Sequence, residues 1–185
     1  MRDKPHPAST ILRATTRKAV PWKNGGGVTS EIAAFPTGSS IENFGWRIST
    51  ALVEAAGPFS IFEGVDRILT VLEGKLSLRF AADGTEVILN CGQTLAFAGD
   101  VAVEGVPLGG PVRNLNVMVR RGMWEAEVTT DRPHFNGYET LIAIAVQPAG
   151  GLAELDAVIL EPGTDLPSDF VGHFVRLRPA TSIER

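Results

Sequence analysis

Glycine and proline are spread along the whole chain, and their distribution limits the fold more than any other feature. Twenty of the 185 residues are glycine and twelve are proline, so few stretches escape them for long. Because both residue types weaken helices, long helices are excluded from most of the chain. Short apolar runs alternate with turn residues instead, which is typical of an all-β sandwich or barrel. We therefore predict an all-β fold.

Alternation of side chains with a period of two marks the individual strands. In the clearest case, the run 46–53, this period places Arg47, Ser49, Ala51 and Val53 on one face. Further strands are predicted at 67–72, 76–80, 86–89, 94–97, 115–120, 124–129, 140–146, 157–160 and 173–177. The apolar run 140–146 suits a strand buried on both faces, and a short buried helix is the alternative.

A weak internal repeat indicates two lobes. A strand, a glycine-containing turn and a second strand recur around residues 89–93 and again around 160–164. We predict two β-lobes in one chain, a larger lobe over about 10–130 and an abbreviated second lobe over about 131–180. Because no Ser/Gly-rich linker separates the lobes, we treat 1–185 as a single domain.

Composition and charge exclude several classes of protein. The net charge is −4 and 44% of the residues are hydrophobic, so the chain can bury a core but lacks the basic surplus of a general nucleic-acid binder. No window reaches the roughly 20 apolar residues of a membrane span, and residues 1–20 lack a signal-peptide pattern. The one cysteine, Cys91, excludes an internal disulfide. We expect a cytoplasmic protein that binds neither nucleic acid nor membranes.

The segment 21–32 combines three consecutive glycines with four kinds of polar group. Lys23, Asn24, Thr29 and Glu31 supply a cation, an amide, a hydroxyl and a carboxylate. Consecutive glycines let a chain or a ligand approach closely. The lysine precedes the glycines and the spacing of a P-loop is absent, so the pattern does not predict a phosphate-binding loop. A ligand-contacting loop and a flexible turn that enters the first strand remain the two interpretations.

Two further segments place polar residues on predicted strands. Arg67 stands at the beginning of one strand and could act as a two-pronged donor to a carboxylate, or form a surface ion pair. In the segment 110–122, Asn116, Met118 and Arg120 share one face and apolar residues share the other. This pattern suits a barrel with a partly polar interior, and equally a plain strand whose polar face lies in water.

At these segments the chain resembles the HutD/Ves family. The run Pro-Trp-Lys-Asn-Gly-Gly-Gly-Val-Thr-Ser-Glu-Ile at 21–32 is similar to the opening signature of that family. Matches follow in order at 46–49, 57–60, 66–67 and 115–121, so the resemblance covers about residues 10–178. The family often has Asp before Leu-Asn-Val-Met, whereas this chain has Asn114, so no role at that position can rest on a carboxylate.

The resemblance implies a fold and a biological context. The fold of the family is cupin-like, an RmlC-like jelly-roll β-barrel with two β-lobes in one chain, as in a bicupin. HutD is associated with bacterial histidine utilisation, where a regulatory or metabolite-sensing role has been proposed. Ves is associated with stress and cold responses, and no settled enzymatic activity goes with either protein.

The histidines do not form the cluster that many cupins use to hold a metal. The chain has three, His6, His134 and His173, and no two of them form a His-x-His pair. Sites for transition metals need clustered nitrogen or sulfur donors. We therefore predict no metal and no cofactor, and we expect His173 to be a core or strand-edge residue.

The sequence favours a non-catalytic binder of a small anionic metabolite inside a barrel lobe. The predicted ligand-binding residues are Lys23, Asn24, Glu31, Arg47, Arg67, Asn116 and Met118. The resemblance suggests formylglutamate or urocanate as the ligand and a role as a regulator or sensor. One alternative is a metal-independent isomerase or hydrolase with Glu31 as general base and Lys23 or Arg67 stabilising negative charge. Another is a protein-interaction or stress-response protein, and a homodimer is compatible with each.

Overall fold

The structure, a computed structural model, describes residues 10–134 and 140–181. Within these ranges the secondary structure is β-strand apart from one short 3-10 helix, Ala14–Thr16. None of the helical segments in the described ranges is long and apolar enough to cross a membrane. The strands are Thr10–Leu12 (β1), Ala19–Pro21 (β2), Gly27–Phe35 (β3), Trp46–Val53 (β4), Gly57–Pro58 (β5), Val65–Glu73 (β6), Lys75–Phe80 (β7), Glu86–Asn90 (β8), Thr94–Ala98 (β9), Val103–Pro107 (β10), Val112–Arg120 (β11), Trp124–Thr129 (β12), Thr140–Ala145 (β13), Ala157–Leu160 (β14) and Gly172–Pro179 (β15).

Residues 17–125 form one compact unit built from two antiparallel sheets. One sheet has the strand order β2-β3-β4-β11-β6-β9, and the other has the order β5-β10-β7-β8. The chain passes from the first sheet to the second at Gly74, between β6 and β7. Gly74 has a φ of +85°, and a Cβ there would lie 2.8 Å from the carbonyl oxygen of Pro111. Only glycine therefore fits this turn without a shift of the backbone.

The two sheets of this unit, which we call the barrel unit, share an apolar core. The strand period of two turns alternate residues of each strand towards this interior. The core residues are Val53, Leu69, Val71, Leu76, Leu78, Leu89, Val103 and Val112, each no more than 5% exposed. They come from both sheets, so burying them holds the two sheets together.

The side chains inside the barrel unit change from apolar to polar along the strands. Paired residues on β4, β11 and β6 point to the same face of the sheet. At one end, Val53 pairs with Val112 in the apolar core. At the other end, Met118 pairs with Arg47 on β4 and with Arg67 on β6. Apolar side chains therefore close the interior at one end, and two arginine side chains lie at the other end.

The described residues 10–16 and those from 126 onwards form a second compact unit. Its sheet has the order β1-β14-β13-β15-β12, and its core includes Leu141, Leu160 and Phe174. Asp156, which is 1% exposed, accepts hydrogen bonds from the backbone of Ala14 and Ala153 and from the side chain of Arg13. Burial disfavours the charged carboxylate, yet these hydrogen bonds hold its pKa below the ordinary value.

The all-β prediction is confirmed, and the predicted strands lie close to observed ones. The run 140–146 forms strand β13, so the helical alternative for it is wrong. The segment 21–32 contains the end of β2 and the first part of β3, so it is a hairpin and more than a flexible turn. Strands β1, β2, β3, β5 and β10 are not among the predicted strand runs. The sequence assigned residues from 10 onwards to the larger lobe, whereas β1 pairs with β14 of the second unit.

Candidate functional site

A cavity of about 570 Å³ lies at the charged end of the barrel unit. Three basic side chains line it, those of Lys23, Arg47 and Arg67. Among the described residues that line it, none is acidic. The rest of the wall is aromatic, aliphatic or neutral polar, with Trp22 and Phe62 among the largest side chains. Its size is in the usual range for small-molecule sites, and its charge favours an anion.

Arg67 is the most deeply buried charged side chain of this cavity, at 7% exposed. Its Nε and Nη2 both donate to Oδ1 of Asn116, at 3.3 and 3.1 Å. Its Nη1 donates to the carbonyl oxygen of Ser60 at 3.4 Å. Both acceptors are neutral, so these bonds fix the guanidinium in place but leave its charge uncompensated.

Three aromatic rings surround the guanidinium of Arg67. Its Cζ lies 5.3 Å from the ring centroid of Phe59, 5.7 Å from that of Phe62 and 5.2 Å from that of Phe97. Such contacts stabilise a cation through the ring quadrupole. They replace water only in part, and burial lowers the pKa of Arg67 to about 10. The group therefore stays positively charged at neutral pH.

No carboxylate in the described part of the chain lies within 4.0 Å of the Arg67 guanidinium. The neighbouring Asp66 points to the other side of β6, where it accepts a hydrogen bond from Arg121 Nε at 2.7 Å. Arg67 thus does not form the surface ion pair that the sequence allowed. A guanidinium has five N–H donors, and three of them are used here. The two that remain, one on Nη1 and one on Nη2, are not used by the described residues and can donate to an anion.

Asn116 is oriented by Arg67. Arginine offers only donors, so the amide of Asn116 must turn its oxygen towards the guanidinium. Its NH₂ group then faces away, and Asn116 is one of the residues that line the cavity. The buried Asn114 lies two residues earlier on the same face of β11 and also lines the cavity. The polar interior predicted for this strand is therefore observed, and the alternative of a water-exposed polar face is wrong.

Arg47 lies across β11 from Arg67. Since neighbouring strands are spaced by about 4.8 Å, the two arginine Cα atoms are roughly 10 Å apart, with Met118 between them. The Nε of Arg47 donates to Oε2 of Glu31 at 2.7 Å. The side chain of Glu31 is 43% exposed and is not among the residues that line the cavity. Arg47 therefore carries a partly compensated charge, unlike Arg67.

The glycine-rich segment forms the tight hairpin between β2 and β3. Gly27 packs so closely that a Cβ would lie 2.3 Å from the carbonyl oxygen of Leu52. The side chain of Asn24 accepts a hydrogen bond from the backbone of Gly26 at 3.1 Å, which shapes the turn. Trp22 donates from Nε1 to Thr29 Oγ1 at 2.8 Å and packs edge-on against Phe59. The hairpin thereby fixes an aromatic wall of the cavity.

Lys23 lies at the exposed tip of this hairpin and lines the cavity. In the described ranges its ammonium group has no ion-pair partner. A flexible, solvated cation at this place adds to the positive potential without fixing the orientation of a ligand.

Six of the seven predicted ligand-binding residues line this one cavity: Lys23, Asn24, Arg47, Arg67, Asn116 and Met118. The seventh, Glu31, reaches the site only through Arg47. Sequence reasoning missed the aromatic side chains of Phe59 and Phe62. The spacing of the two rings, three residues apart in an irregular segment, carried no periodic signal.

None of the described residues that line this cavity is a histidine. His173 is buried in β15 of the second unit, as expected for a core residue, and burial lowers its pKa. His134 ends the first described range, and His6 lies outside the described residues. Within those residues, no three His, Cys, Asp or Glu side chains are grouped closely enough to hold a metal ion.

A family model and two curated relatives match this chain. The HutD family model matches residues 14–161. An uncharacterised 21.2 kDa protein in the hutC 3′ region of Pseudomonas putida is 41% identical over 110 residues, and Protein Ves of Citrobacter koseri is 37% identical over 108 residues. Each alignment covers 58% of this chain and 56% of the relative, so the chain spans about half the length of the curated relatives it matches.

Two solved structures are similar over nearly the whole chain. HutD from Pseudomonas fluorescens SBW25, in its formate condition, has a TM-score of 0.79 and 27% identity, covering 94% of this chain and 100% of that chain. A conserved protein of unknown function from Pseudomonas aeruginosa PAO1 has a TM-score of 0.77 and 31% identity, covering 95% and 100%. The HutD/Ves resemblance is thereby confirmed, and the all-β fold of this chain is that of the similar solved HutD structure.

Proposed function

The chain belongs to the HutD family, and from this premise we propose that its barrel unit binds a small carboxylate metabolite without converting it. The observation that carries the proposal is the buried guanidinium of Arg67. It is 7% exposed and has neutral hydrogen-bond acceptors but no carboxylate partner in the described part of the chain. An unpaired buried charge lowers stability, so a ligand that supplies the missing anion is its most direct explanation.

The chemistry of the cavity indicates how such a ligand binds. Its carboxylate accepts hydrogen bonds from the two unused donors of Arg67, in the two-pronged geometry that guanidinium groups favour. The NH₂ group of Asn116 supplies a further donor. The remainder of the ligand packs against Trp22 and Phe62, and Lys23 adds long-range attraction. The buried setting strengthens each of these polar interactions.

The biological context comes from relatives. The Pseudomonas putida relative is named for its place in the hutC 3′ region, and a similar solved structure is named HutD. Family membership associates the chain with histidine utilisation, whose intermediates include formylglutamate and urocanate. Both are carboxylates small enough for a cavity of about 570 Å³. We propose that the protein is a regulator or sensor that responds to such an intermediate.

The test is a binding titration of purified protein with formylglutamate, urocanate and formate, followed by isothermal calorimetry and thermal shift. Urocanamide, in which a neutral amide replaces the carboxylate of urocanate, is the matched ligand control. Arg67→Ala is expected to weaken binding more than tenfold, and Arg47→Ala less, without unfolding the protein. Arg79→Ala, which removes an exposed arginine of β7, serves as the matched protein control. Equal affinity in wild type and Arg67→Ala would refute the proposal.

The alternative of a metal-independent enzyme depends on Glu31 as general base. Its carboxylate accepts a hydrogen bond from Arg47 and does not line the cavity, which disfavours proton abstraction from a bound ligand. Chromatographic analysis of the same titration mixtures for product decides between the two functions. Turnover that Glu31→Gln abolishes would favour the enzyme.

A further inference from the structure

Two loops form one side of the cavity, and one arginine outside the cavity connects them. The loop 36–45 joins β3 to β4 and contributes Ile41 to the cavity. The loop 59–64 joins β5 to β6 and contributes Phe59, Ser60 and Phe62. We call these the two wall loops. Among the described residues, no hydrogen bond joins one wall loop directly to the other.

Arg120, at the end of β11, bonds to both wall loops. Its Nη2 donates to the carbonyl oxygen of Glu42 at 3.0 Å, and its Nη1 donates to the carbonyl oxygen of Glu63 at 3.1 Å. In the sequence, Glu42 directly follows Ile41, and Glu63 directly follows Phe62. A planar guanidinium holds two acceptors at a fixed separation, which an ammonium group cannot do.

The guanidinium is itself held in place. Its Cζ lies 5.3 Å from the ring centroid of Phe44, and the Arg120 backbone N–H donates to the carbonyl oxygen of Gly45 at 2.7 Å. Phe44 is 2% exposed and packs with Met118 and Phe62, both of which line the cavity. Arg120 is therefore held by a buried cluster that includes two residues of the cavity lining.

We propose that Arg120 is a positioning residue for ligand binding: it sets the separation of the two wall loops and so the shape of the cavity around Arg67. The link to Arg67 is direct, because the loop 59–64 supplies the Ser60 carbonyl that accepts from Arg67 and two of the rings that surround it. This role rests on the proposed function for its effect on ligand affinity. Its effect on the loops does not depend on any ligand.

The experiment measures backbone hydrogen exchange of the ligand-free protein by mass spectrometry, in wild type, Arg120→Met, Arg120→Lys and the surface control Arg79→Met. We expect peptides that cover residues 36–45 and 59–64 to exchange about tenfold faster in Arg120→Met, since two charge-assisted hydrogen bonds are lost. Peptides from β7 and β8 are expected to exchange as in wild type. Arg120→Lys, which can reach one carbonyl at a time, is expected to fall between the two.

The same variants are titrated with the carboxylate that binds wild type best. Arg120→Met is expected to raise the dissociation constant about tenfold, mostly through faster dissociation, and Arg120→Lys is expected to recover part of the loss. Unchanged exchange in the wall loops, a uniform rise across the whole barrel unit, or faster loop exchange with wild-type affinity would each overturn the proposal. If wild type binds no carboxylate, the proposed function fails, while the exchange data still decide whether Arg120 holds the loops.

Discussion

Arg67 donates from both Nε and Nη2 to the same oxygen atom of Asn116, at 3.3 and 3.1 Å. The shared acceptor is neutral, so Asn116 fixes the direction of the guanidinium without neutralising it. A carboxylate at this position would do both, and would leave little attraction for an external anion. Four predictions follow from this arrangement, and a fifth concerns the buried carboxylate of Asp156 in the second unit.

Replacing Arg67 by methionine is expected to stabilise the protein and abolish carboxylate binding. The wild-type guanidinium is buried without a counter-charge, and apolar replacement of such groups can raise the free energy of unfolding by about 1–3 kcal/mol. The free energy is measured by urea unfolding, with Arg79→Met as the control. A loss of stability in Arg67→Met would contradict this prediction.

The stability of wild type should also depend on pH through Arg67. Burial lowers its pKa to about 10 in the folded protein, below the ordinary value for arginine, so in the window between the two values the unfolded chain binds more protons. Wild-type stability should therefore rise relative to Arg67→Met as the pH increases through this window. Paired urea titrations from pH 8 to pH 11 measure the difference, and a constant difference contradicts the assignment.

Asn116→Asp is expected to weaken carboxylate binding more than tenfold while the fold is retained. The substituted side chain has nearly the same shape, and it would accept the same two hydrogen bonds from Arg67 while supplying the missing negative charge. Calorimetric titration with formylglutamate or urocanate measures the loss. Asn90→Asp, at the exposed end of β8, is the control for the chemical change. Affinity within twofold of wild type would contradict the role given to the unpaired charge.

Glu31→Gln is expected to strengthen carboxylate binding about two- to fivefold. The substitution removes the carboxylate that competes for Arg47, whereas the amide oxygen can still accept from its Nε. Exposed ion pairs contribute up to about 1 kcal/mol, which sets the size of the effect. The same titration measures it, with Glu86→Gln on β8 as the control. A marked loss of affinity would mean that Glu31 contacts the ligand itself.

Asp156→Asn is expected to lower the free energy of unfolding by about 2 kcal/mol at neutral pH, because the buried carboxylate accepts charge-assisted bonds from Arg13 and two backbone groups. The pKa of Asp156 is lowered, so its contribution is complete above about pH 4 and is lost as the pH falls through the lowered value. Acid unfolding of Asp156→Asn and of the surface control Glu127→Gln measures this. Equal acid sensitivity in Asp156→Asn and wild type would contradict it.

Much of the fold could be read from the sequence, because strand period and turn chemistry are local properties. Alternation along 46–53 identified the face that carries Arg47, and the glycines at 74 and 84 lie in turns with positive φ, a conformation that glycine adopts without strain. Strand β3 was missed because its polar residues and the preceding glycines concealed the alternation. Strand β10 was missed because glycine and proline interrupt it.

The sequence by itself determined that Arg67, Asn116 and Met118 lie on strands of an all-β protein and which of them share a face. Only the tertiary structure decided that Arg47, Met118 and Arg67 form one row, because strand register depends on pairing between distant segments. It also decided the charge of the site. Asp66 follows the strand period to the opposite face and pairs with Arg121, so Arg67 is buried beside Asn116 without a carboxylate.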